Sequence, residues 1–259
     1  MGNPPLVGGP HAKPPPGGLC RPPGRAVRQL DIVHRRKGWP RGGRAMKITF
    51  YAHASFRLEG SGLAVITDPY TPALSGFDPI GEEADLVIMS SATDDFHCDA
   101  SHVAGNPLVI NALEVPPEGG VAKGLKIRSF PAMESMTFDF QKYFQRDPDA
   151  NALYHFELDG VRVLHMGDIG NPVAPEHAEA LAGQVDVLLA LAGEHATIAL
   201  DDLDAFIRAI KPRAVIPMHY YSPRGVLNIE PVETYLNRLS PEQITRVGAS
   251  TLELDVSGL

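Results

Sequence analysis

A short stretch of the chain places several acidic and histidine side chains directly after a run of apolar residues. Residues 86–102 read LVIMSSATDDFHCDASH, in which four apolar residues and two serines precede Asp94, Asp95 and His97. Carboxylate oxygens and imidazole nitrogens are common ligands of Zn²⁺ and similar ions, so this stretch could hold a metal ion. The alternative is a solvated loop that leads into a helix, and the local sequence leaves both interpretations open.

Three further histidines and one acid stand at the ends of other predicted strands. They are His53 in YAHASF, His165 and Asp168 in HMGDIG, and His219 in IPMHYY. Loops at strand ends often display catalytic groups on a rigid scaffold, so these side chains are candidates for one site. Each also has a structural explanation: a hydrogen-bonded core histidine for His53 and His165, a turn acid for Asp168, and a strand cap for His219.

The elements that must position these residues begin at Met46. MKITFYAHASFRLEG alternates apolar and polar residues and turns at EGSG into LAVITDP, which predicts a β-hairpin. LVIM, VDVLLALAG and RAVIPMHYY are almost wholly apolar, as expected of buried strands, and LDDLDAFIRAIK places its apolar residues on one helical face. Hairpins followed by strand–helix alternation predict one α/β domain with mixed sheets over residues 46–259.

Residues 1–45 have a different composition. They are crowded with Pro and Gly, show no sustained hydrophobic period, and hold nine Lys or Arg residues against one acid. Such a segment cannot bury enough apolar surface to offset its ordering entropy, so we expect a disordered basic extension. Because Met46 opens a clean strand, a further hypothesis is that these residues are leader sequence included by a misassigned start codon.

Composition disfavours several functional classes. The chain has a net charge of −8, and the residues after position 45 hold 14 basic and 30 acidic side chains. Nucleic-acid binding needs a basic face, which so acidic a body does not offer. Two cysteines are too few for a disulfide framework, and the sequence contains neither a secretory signal nor an apolar run of about 18 residues. We expect a cytoplasmic protein with a small-molecule substrate and no nucleic-acid or membrane partner; its oligomeric state is left open.

Three of these segments together resemble the metallo-β-lactamase superfamily, in particular its branch of ascorbate-6-phosphate-lactonase-like proteins and predicted metal-dependent hydrolases. MKITFYAHASFRLEG and VITDPY are similar to the opening hairpin of that branch, with His53 and Asp68 at matching positions. VRVLHMGDIG resembles its GDT strand, and IKPRAVIPMHYY resembles its final-histidine motif. The resemblance covers residues 46–221 and implies an α/β fold, a four-layer αβ/βα sandwich of two mixed β-sheets flanked by helices.

The sequence departs from this family at its defining H-x-H-x-D-H motif. The window reads SATDDF, so Ser91 and Thr93 replace the first two histidines, Asp95 is kept, and Phe96 replaces the last histidine. The family's middle histidine corresponds to Met133 in FPAMES. A hydroxyl is a weak ligand for a divalent ion, and a thioether suits Cu(I) better than Zn²⁺. The losses therefore fall on one of the family's two metal sites.

The resemblance leaves the other metal site nearly complete, with Asp95, His97, Asp168 and His219 as its expected ligands. His97 lies one residue beyond the motif position, and a one-residue bulge would turn it inward. We expect one divalent ion, zinc or else manganese or iron, in place of two. Asp95 and His53 are the expected catalytic residues, with His53 orienting a ligand. The implied activity is hydrolysis of a small ester, lactone or phosphoester.

Two alternatives remain beside this hypothesis. The chain could be a catalytically silent member of the family that binds a small molecule or partner in the old cleft. Within a working site, Glu194 or His195 in LAGEHAT, or the thiolate of Cys98, could replace a lost ligand. The simpler interpretations are a solvated loop for the first two residues and a small apolar residue for Cys98.

Overall fold

The fold consists of two β-sheets and a few short helices. A computed structural model describes residues 31–34, 45–94 and 96–255. The strands within these ranges are β1 (Asp31–His34), β2 (Ala45–Ala52), β3 (Ser55–Gly60), β4 (Leu63–Thr67), β5 (Leu86–Met89), β6 (Leu108–Asn111), β7 (Gly120–Ala122), β8 (Leu125–Met133), β9 (Ala150–Leu158), β10 (Val161–His165), β11 (Val187–Leu191), β12 (Ala214–Met218), β13 (Ile244–Arg246) and β14 (Thr251–Asp255). The α-helices are α1 (Pro72–Ser75), α2 (Phe140–Phe144), α3 (Pro175–Leu181), α4 (Leu200–Ile210) and α5 (Val232–Leu236).

Both sheets are mixed. The larger has the order β13-β1-β12-β11-β10-β9-β8-β7, and the smaller has the order β14-β2-β3-β4-β5-β6. The strands β10, β11 and β12 are parallel in the larger sheet, as are β4, β5 and β6 in the smaller one. The other neighbouring strands pair antiparallel. The predicted fold class, an α/β sandwich of two mixed sheets with helices, is confirmed.

The apolar runs of the sequence form the parallel strands because both faces of these strands are covered. Leu86 and Ile88 of β5 belong to the core that both sheets share. Val87 and Met89 of the same strand point to the opposite face and belong to a second, smaller cluster. The strands β11 and β12 are buried along their whole length. This burial explains why they lack the polar alternation of a half-exposed strand.

Helix α4 sets β12 beside β11 and so places the ends of these two strands at one edge of the larger sheet. Its apolar residues recur on one face, where Leu203, Phe206 and Ile210 are buried. Acids in its first turn and Arg208 in its last turn suit the helix dipole. None of the helices in the described ranges is long and apolar enough to cross a membrane.

Strand β1 lies within the segment that the sequence predicts to be disordered. It pairs antiparallel with β12 on one side and with β13 on the other. Asp31 is buried, and its carboxylate accepts a hydrogen bond of 2.8 Å from Arg246. The prediction is therefore wrong for Asp31–His34, because partners from the far end of the chain cover this short strand. The rest of the predicted extension, residues 1–30 and 35–44, lies outside the described residues, and the start-codon hypothesis stays a prediction.

An ion pair with a buried carboxylate ties β10 to the start of β11. The carboxylate of Asp186 accepts hydrogen bonds of 2.9 Å from the backbone N–H, Nε and Nη2 of Arg162. Burial by itself would raise the pKa of Asp186, but these hydrogen bonds outweigh it and hold the pKa below its usual value. The pair therefore stabilises the fold when Asp186 is ionised.

We expect Asp186→Asn to lower the free energy of unfolding by about 2 kcal/mol at pH 7, because it weakens a buried charge-assisted network. A carboxylate with a lowered folded pKa stabilises above its unfolded pKa of about 3.9, and this stabilisation is lost as the pH falls through the folded pKa. The difference between the variant and the wild type should therefore shrink below about pH 4. Urea denaturation across the pH range measures it.

The matched control is Asp201→Asn. Asp201 also accepts a hydrogen bond from an arginine, Arg238, but its side chain is 89% exposed. A surface pair of this kind contributes about 0.5 kcal/mol or less. Equal losses in the two variants would contradict the role given to the buried pair.

Candidate metal centre

The ends of four strands bring the candidate residues together. His53 follows β2, His97 lies in the loop after β5, Asp168 follows β10, and His219 follows β12. The backbone N–H of His219 donates to the carbonyl oxygen of His53 over 2.8 Å and so joins the two sheets at this point. Both residues have left-handed backbones, with φ of 48° and 51°. Non-glycine residues in this region are uncommon and concentrate at functional sites.

Asp94 and His97 form a tight turn after β5. The backbone N–H of His97 donates to the carbonyl oxygen of Asp94 over 3.2 Å, and Asp94 Oδ2 lies 2.8 Å from His97 Nδ1. Asp94 Oδ1 accepts a further hydrogen bond from the N–H of Phe96. Both Asp94 and His97 are buried. The carboxylate thus fixes the ring with Nδ1 engaged, which leaves Nε2 for another partner.

Asp168 reaches the same point from β10. Its backbone N–H donates to the side-chain oxygen of Asn151 over 2.9 Å, which holds the HMGDIG turn in place. Its Oδ2 lies 3.6 Å from His97 Nδ1, and its Oδ1 lies 3.5 Å from His219 Nε2. Two groups of three have potential ligand atoms within 4.8 Å of one another: His53, His97 and His219, and Asp94, His97 and Asp168. Both groups contain His97, so they adjoin at this residue.

Acidic side chains crowd this centre. Burial by itself would lower the pKa of His97, but the carboxylates of Asp94 and Asp168 outweigh it and raise the pKa to about 10. Burial raises the pKa of Asp168 well above its usual value, and it lowers the pKa of His219 to about 3. When no other cation is bound, His97 therefore carries the positive charge beside the acids, while His219 is a neutral imidazole with the protonation state of a metal ligand.

The donor atoms fit a metal ion. His97 Nε2, Asp168 Oδ1 and both ring nitrogens of His219 are buried and have no hydrogen-bond partner among the described residues. Burying polar atoms without partners costs free energy, and such exceptions in a folded protein call for an explanation. Imidazole nitrogens and carboxylate oxygens in this number suit Zn²⁺ and other divalent ions. A cation bound here would satisfy these atoms together.

Three of the four ligands expected from the sequence lie together, namely His97, Asp168 and His219. The fourth, Asp95, lies outside the described residues, so its predicted metal and catalytic roles stay predictions. Asp94, named in the opening stretch but not among the expected ligands, contacts His97 directly. The available signal was its spacing of three residues from His97, which allows one turn to bring both side chains together. His53, expected to orient a ligand, lies within one of the two ligand groups.

Met133, which the sequence comparison set at the family's middle histidine, does not line the cleft. Met133 is 36% exposed, whereas Glu134 is 1% exposed and lines the cleft beside the centre. Both carboxylate oxygens of Glu134 accept hydrogen bonds from Arg146, over 2.6 and 2.8 Å. Met133 is the last residue of β8, and Glu134 directly follows it. An ion pair thus lies one residue beyond the position where the sequence comparison placed a thioether.

The other replaced motif positions have structural roles. The hydroxyl groups of Ser91 and Thr93 lie 3.2 Å apart and form a hydrogen bond. The ring of Phe96 packs edge-on against that of Phe144 with 5.6 Å between the centroids, in the wall of the cleft. It therefore does not fill the space between His97 and His219, whose rings are 5.0 Å apart.

The proposed substitute ligands stay outside the centre. Glu194 Oε1 accepts a hydrogen bond from the N–H of Leu200 at the start of α4. The side chain of His195 lines the cleft but is half exposed, and its Nε2 lies 3.2 Å from Glu230. Cys98 packs against the smaller apolar cluster, as the simpler interpretation expects. None of these three residues belongs to either ligand group of the described part of the chain.

A second layer of buried polar residues lies next to the centre. Asp68, at the end of β4, accepts hydrogen bonds of 2.7 Å from the backbone N–H and hydroxyl of Ser90, and one of 3.2 Å from the Tyr154 hydroxyl. Burial raises the pKa of Asp68 to about 7. His165 accepts a hydrogen bond from Gly167 and donates to the carbonyl oxygen of Ala54. His165 is thus structural, which was the simpler of its two interpretations.

A cleft of about 600 Å³ opens onto the centre. His97, Asp168 and His219 line it together with aromatic residues of and around α2 and with residues 226–229 on a facing loop. A volume of this size suits a small organic molecule.

Comparison with known proteins identifies the family. The model described as "Beta-lactamase superfamily domain" matches residues 47–219, so the chain belongs to this superfamily. A UPF0173 metal-dependent hydrolase of Thermococcus onnurineus is 31% identical over 197 residues, which cover 68% of this chain and 84% of the relative. One from Pelotomaculum thermopropionicum is 30% identical with the same coverage. These relatives are named metal-dependent hydrolases.

Solved structures agree on the fold. A metallo-β-lactamase superfamily structure from Thermotoga maritima matches with a TM-score of 0.57 and 29% identity, covering 75% of this chain and 86% of that one. A structure from Parabacteroides distasonis matches with a TM-score of 0.59 over 84% of this chain and 96% of that one, but at 18% identity it supports the fold alone. The family resemblance read from the sequence is confirmed.

The position of His219 depends on close packing against Gly193. A Cβ added at Gly193 would overlap the carbonyl oxygen of His219. We therefore expect Gly193→Ala to displace His219 and to lower the free energy of unfolding by about 1–3 kcal/mol. The control is Gly120→Ala, because a Cβ there would meet nothing closer than Val115 at 3.8 Å. Denaturation curves for both variants measure the effect, and a Gly193→Ala variant as stable as the control would contradict it.

Proposed function

We propose that this protein is a hydrolase that uses one divalent metal ion, zinc in the first place, held by His53, His97, Asp168 and His219. The observation that carries the proposal is the convergence of these residues, of which His97, Asp168 and His219 hold buried ligand atoms with no hydrogen-bond partner among the described residues. The hydrogen bond from His97 Nδ1 to Asp94 supports Nε2 as the ligand atom and gives Asp94 an orienting role.

A single ion is supported by the residues that stand where the family has its other ligands, and by their neighbour Glu134. Ser91 and Thr93 are hydrogen-bonded to each other, and Glu134 is paired with Arg146. The two possible ligand groups share His97, and one ion at that residue is the simplest occupant. The names of the relatives support metal-dependent hydrolysis, and the Thermotoga maritima structure is named as a candidate Zn-dependent hydrolase.

The residues of the cleft suit hydrolysis of a small ester, lactone or phosphoester. A bound divalent ion supplies Lewis acidity and an activated water at neutral pH. His219, a neutral imidazole, and Asp168 donate electron pairs toward the site, while Asp94 holds His97 in one orientation. The Asp168 carboxylate lines the cleft, where it can accept a proton from an attacking water.

The cleft volume supports a small-molecule substrate, and the acidic body supports the absence of a nucleic-acid partner. The cysteine content supports a cytoplasmic location.

Metal analysis of the purified full chain tests the proposal. We expect close to one zinc, manganese or iron ion per chain, and a thermal midpoint that rises with added Zn²⁺ because the ion binds the folded state. His219→Ala should lose the bound ion and the Zn²⁺-dependent rise, since a buried ligand is removed. Hydrolysis of p-nitrophenyl acetate should disappear with the metal and return when Zn²⁺ is restored.

The matched control is His195→Ala, which removes a histidine of the same cleft that lies outside both ligand groups. It should keep the metal and its thermal stabilisation. Circular dichroism establishes that both variants are folded. A metal-free wild type with no response to Zn²⁺, or a His219→Ala variant that keeps its ion, would reject the metal site. That result would favour the catalytically silent alternative.

A further inference from the structure

The cleft beside the centre has an aromatic wall that the metal chemistry does not use. We define the aromatic wall as Phe96, Phe138, Phe140, Tyr143 and Phe144. The ring of Phe138 lies 4.9 Å from that of Phe140 and 5.2 Å from that of Tyr143, and Phe144 continues the wall to Phe96. Phe96 in turn lies 6.4 Å from the ring of His97. The wall therefore extends from the cleft mouth to a candidate metal ligand.

Apolar side chains are exposed on both sides of the cleft mouth. Tyr143 is 58% and Phe144 is 38% exposed on one side, and Val226 is 61% exposed on the facing loop, beside the buried Ile229. Exposed aromatic rings that line a concave site are typical of surfaces that bind an apolar group. Their continuity with the centre identifies the occupant as the molecule that reacts there.

The charges of the cleft disfavour a phosphoester. Arg146 is the one Lys or Arg among the lining residues, whereas Glu134, Asp139 and Asp168 are acidic. Both Nη atoms of Arg146 donate to Glu134, and its guanidinium lies 4.6 Å from the centre of the Phe140 ring. Recognition of phosphate uses an arginine fork or several cations, and here the fork is already occupied.

A bound divalent ion only offsets this balance. Among the lining residues, Glu134, Asp139 and Asp168 hold three potential negative charges, and Arg146 together with the ion holds three positive ones. Lys142 on α2 lies against the ring of Tyr143 and does not line the cleft. The cleft therefore offers a phosphate dianion no excess of positive charge, and a neutral carbonyl compound needs none.

From these observations, and resting on the proposed hydrolase function, we infer that the substrate is a neutral carboxylic ester or lactone with an apolar group of ring size. The apolar group packs between the aromatic wall and the loop at 226–229, and the carbonyl carbon lies at the metal centre. Water attacks this carbon, the bond to the alcohol oxygen breaks, and the products are a carboxylate and an alcohol, or one hydroxy acid from a lactone.

The activity test compares three substrates of the zinc-loaded full chain: p-nitrophenyl acetate, p-nitrophenyl phenylacetate and p-nitrophenyl phosphate. The two esters share a leaving group, so their ratio of kcat/KM reports the apolar acyl group. We expect a preference of about tenfold or more for phenylacetate, since each buried methylene contributes a factor of about four. Phosphate hydrolysis should be negligible beside both esters.

The variants Phe144→Ala and Tyr143→Ala test the wall. Each should lower the phenylacetate-to-acetate ratio at least threefold, which a loss of folded protein alone would not do. Leu74→Ala is the matched control, because Leu74 is 43% exposed but does not line the cleft. It should leave the ratio unchanged. An unchanged ratio in both wall variants would overturn the inference, and so would an effect of Phe144→Ala on oligomeric state alone.

A binding measurement separates this inference from the hydrolase proposal. Ligand-observed NMR with phenylacetamide and phenyl phosphate measures binding without turnover. We expect the neutral phenylacetamide to bind more tightly than phenyl phosphate, and we expect its affinity to fall in Phe144→Ala. If no ester is hydrolysed but phenylacetamide binds in this way, the hydrolase proposal fails and the apolar, neutral specificity of the cleft stands. If p-nitrophenyl phosphate is the best substrate, or phenyl phosphate binds more tightly, the hydrolase proposal stands and this inference fails. If neither probe binds and no ester is hydrolysed, both fail.

Discussion

The contact between His97 and its two acidic neighbours is the constraint around which the centre is organised. Asp94 and Asp168 are buried beside the same ring, at 2.8 and 3.6 Å from Nδ1. Two carboxylates at this depth require a positive partner. The imidazolium form of His97 can supply that charge, and so can a divalent ion, which would also satisfy the unpaired nitrogens of His219. One imidazolium offsets only one of the two carboxylates, and burial raises the pKa of Asp168, which favours its protonated form. The proposed divalent ion would offset both carboxylates.

The fold could be predicted from the sequence wherever local pattern and tertiary environment agree. The strands β5, β11 and β12 are apolar because both of their faces are buried, and the run length alone reveals this. The hairpin of β9 and β10 follows from Asp159 and Gly160, which both adopt the positive φ that such a turn needs. Strand β1 could not be found in the same way. Its four residues show no hydrophobic pattern of their own within a Pro- and Gly-rich segment. They form a strand because they pair with β12 on one side and with β13 on the other.

The candidate site was predictable at the strand ends and not within the loops. His219 directly follows the buried strand β12, and Asp168 follows the buried strand β10 by three residues, so the strands determine where these two side chains lie. Asp94 and Glu134 were not among the expected site residues. In the loop after β5, the turn closed by the N–H of His97 sets the position of Asp94, and Glu134 follows the end of β8. A family motif fixes residue types at given spacings, but a loop that has lost the histidines has also lost the contacts that kept its spacing.

The departures from the motif therefore form a consistent set of substitutions. Where the family has histidines for a first metal, this chain has two hydroxyls that bond to each other and a carboxylate neutralised by Arg146. An arginine–carboxylate pair is net neutral and offers no open coordination position, so it can hold the neighbouring loop without binding a metal ion. Phe96 likewise stands where the family has a metal-binding histidine, and its ring instead forms part of the cleft wall. One short turn then carries the acid that orients His97, the histidine itself and the ring that adjoins both. The metal chemistry and the apolar specificity proposed for this site are coupled through that turn, because any change in its register moves all three.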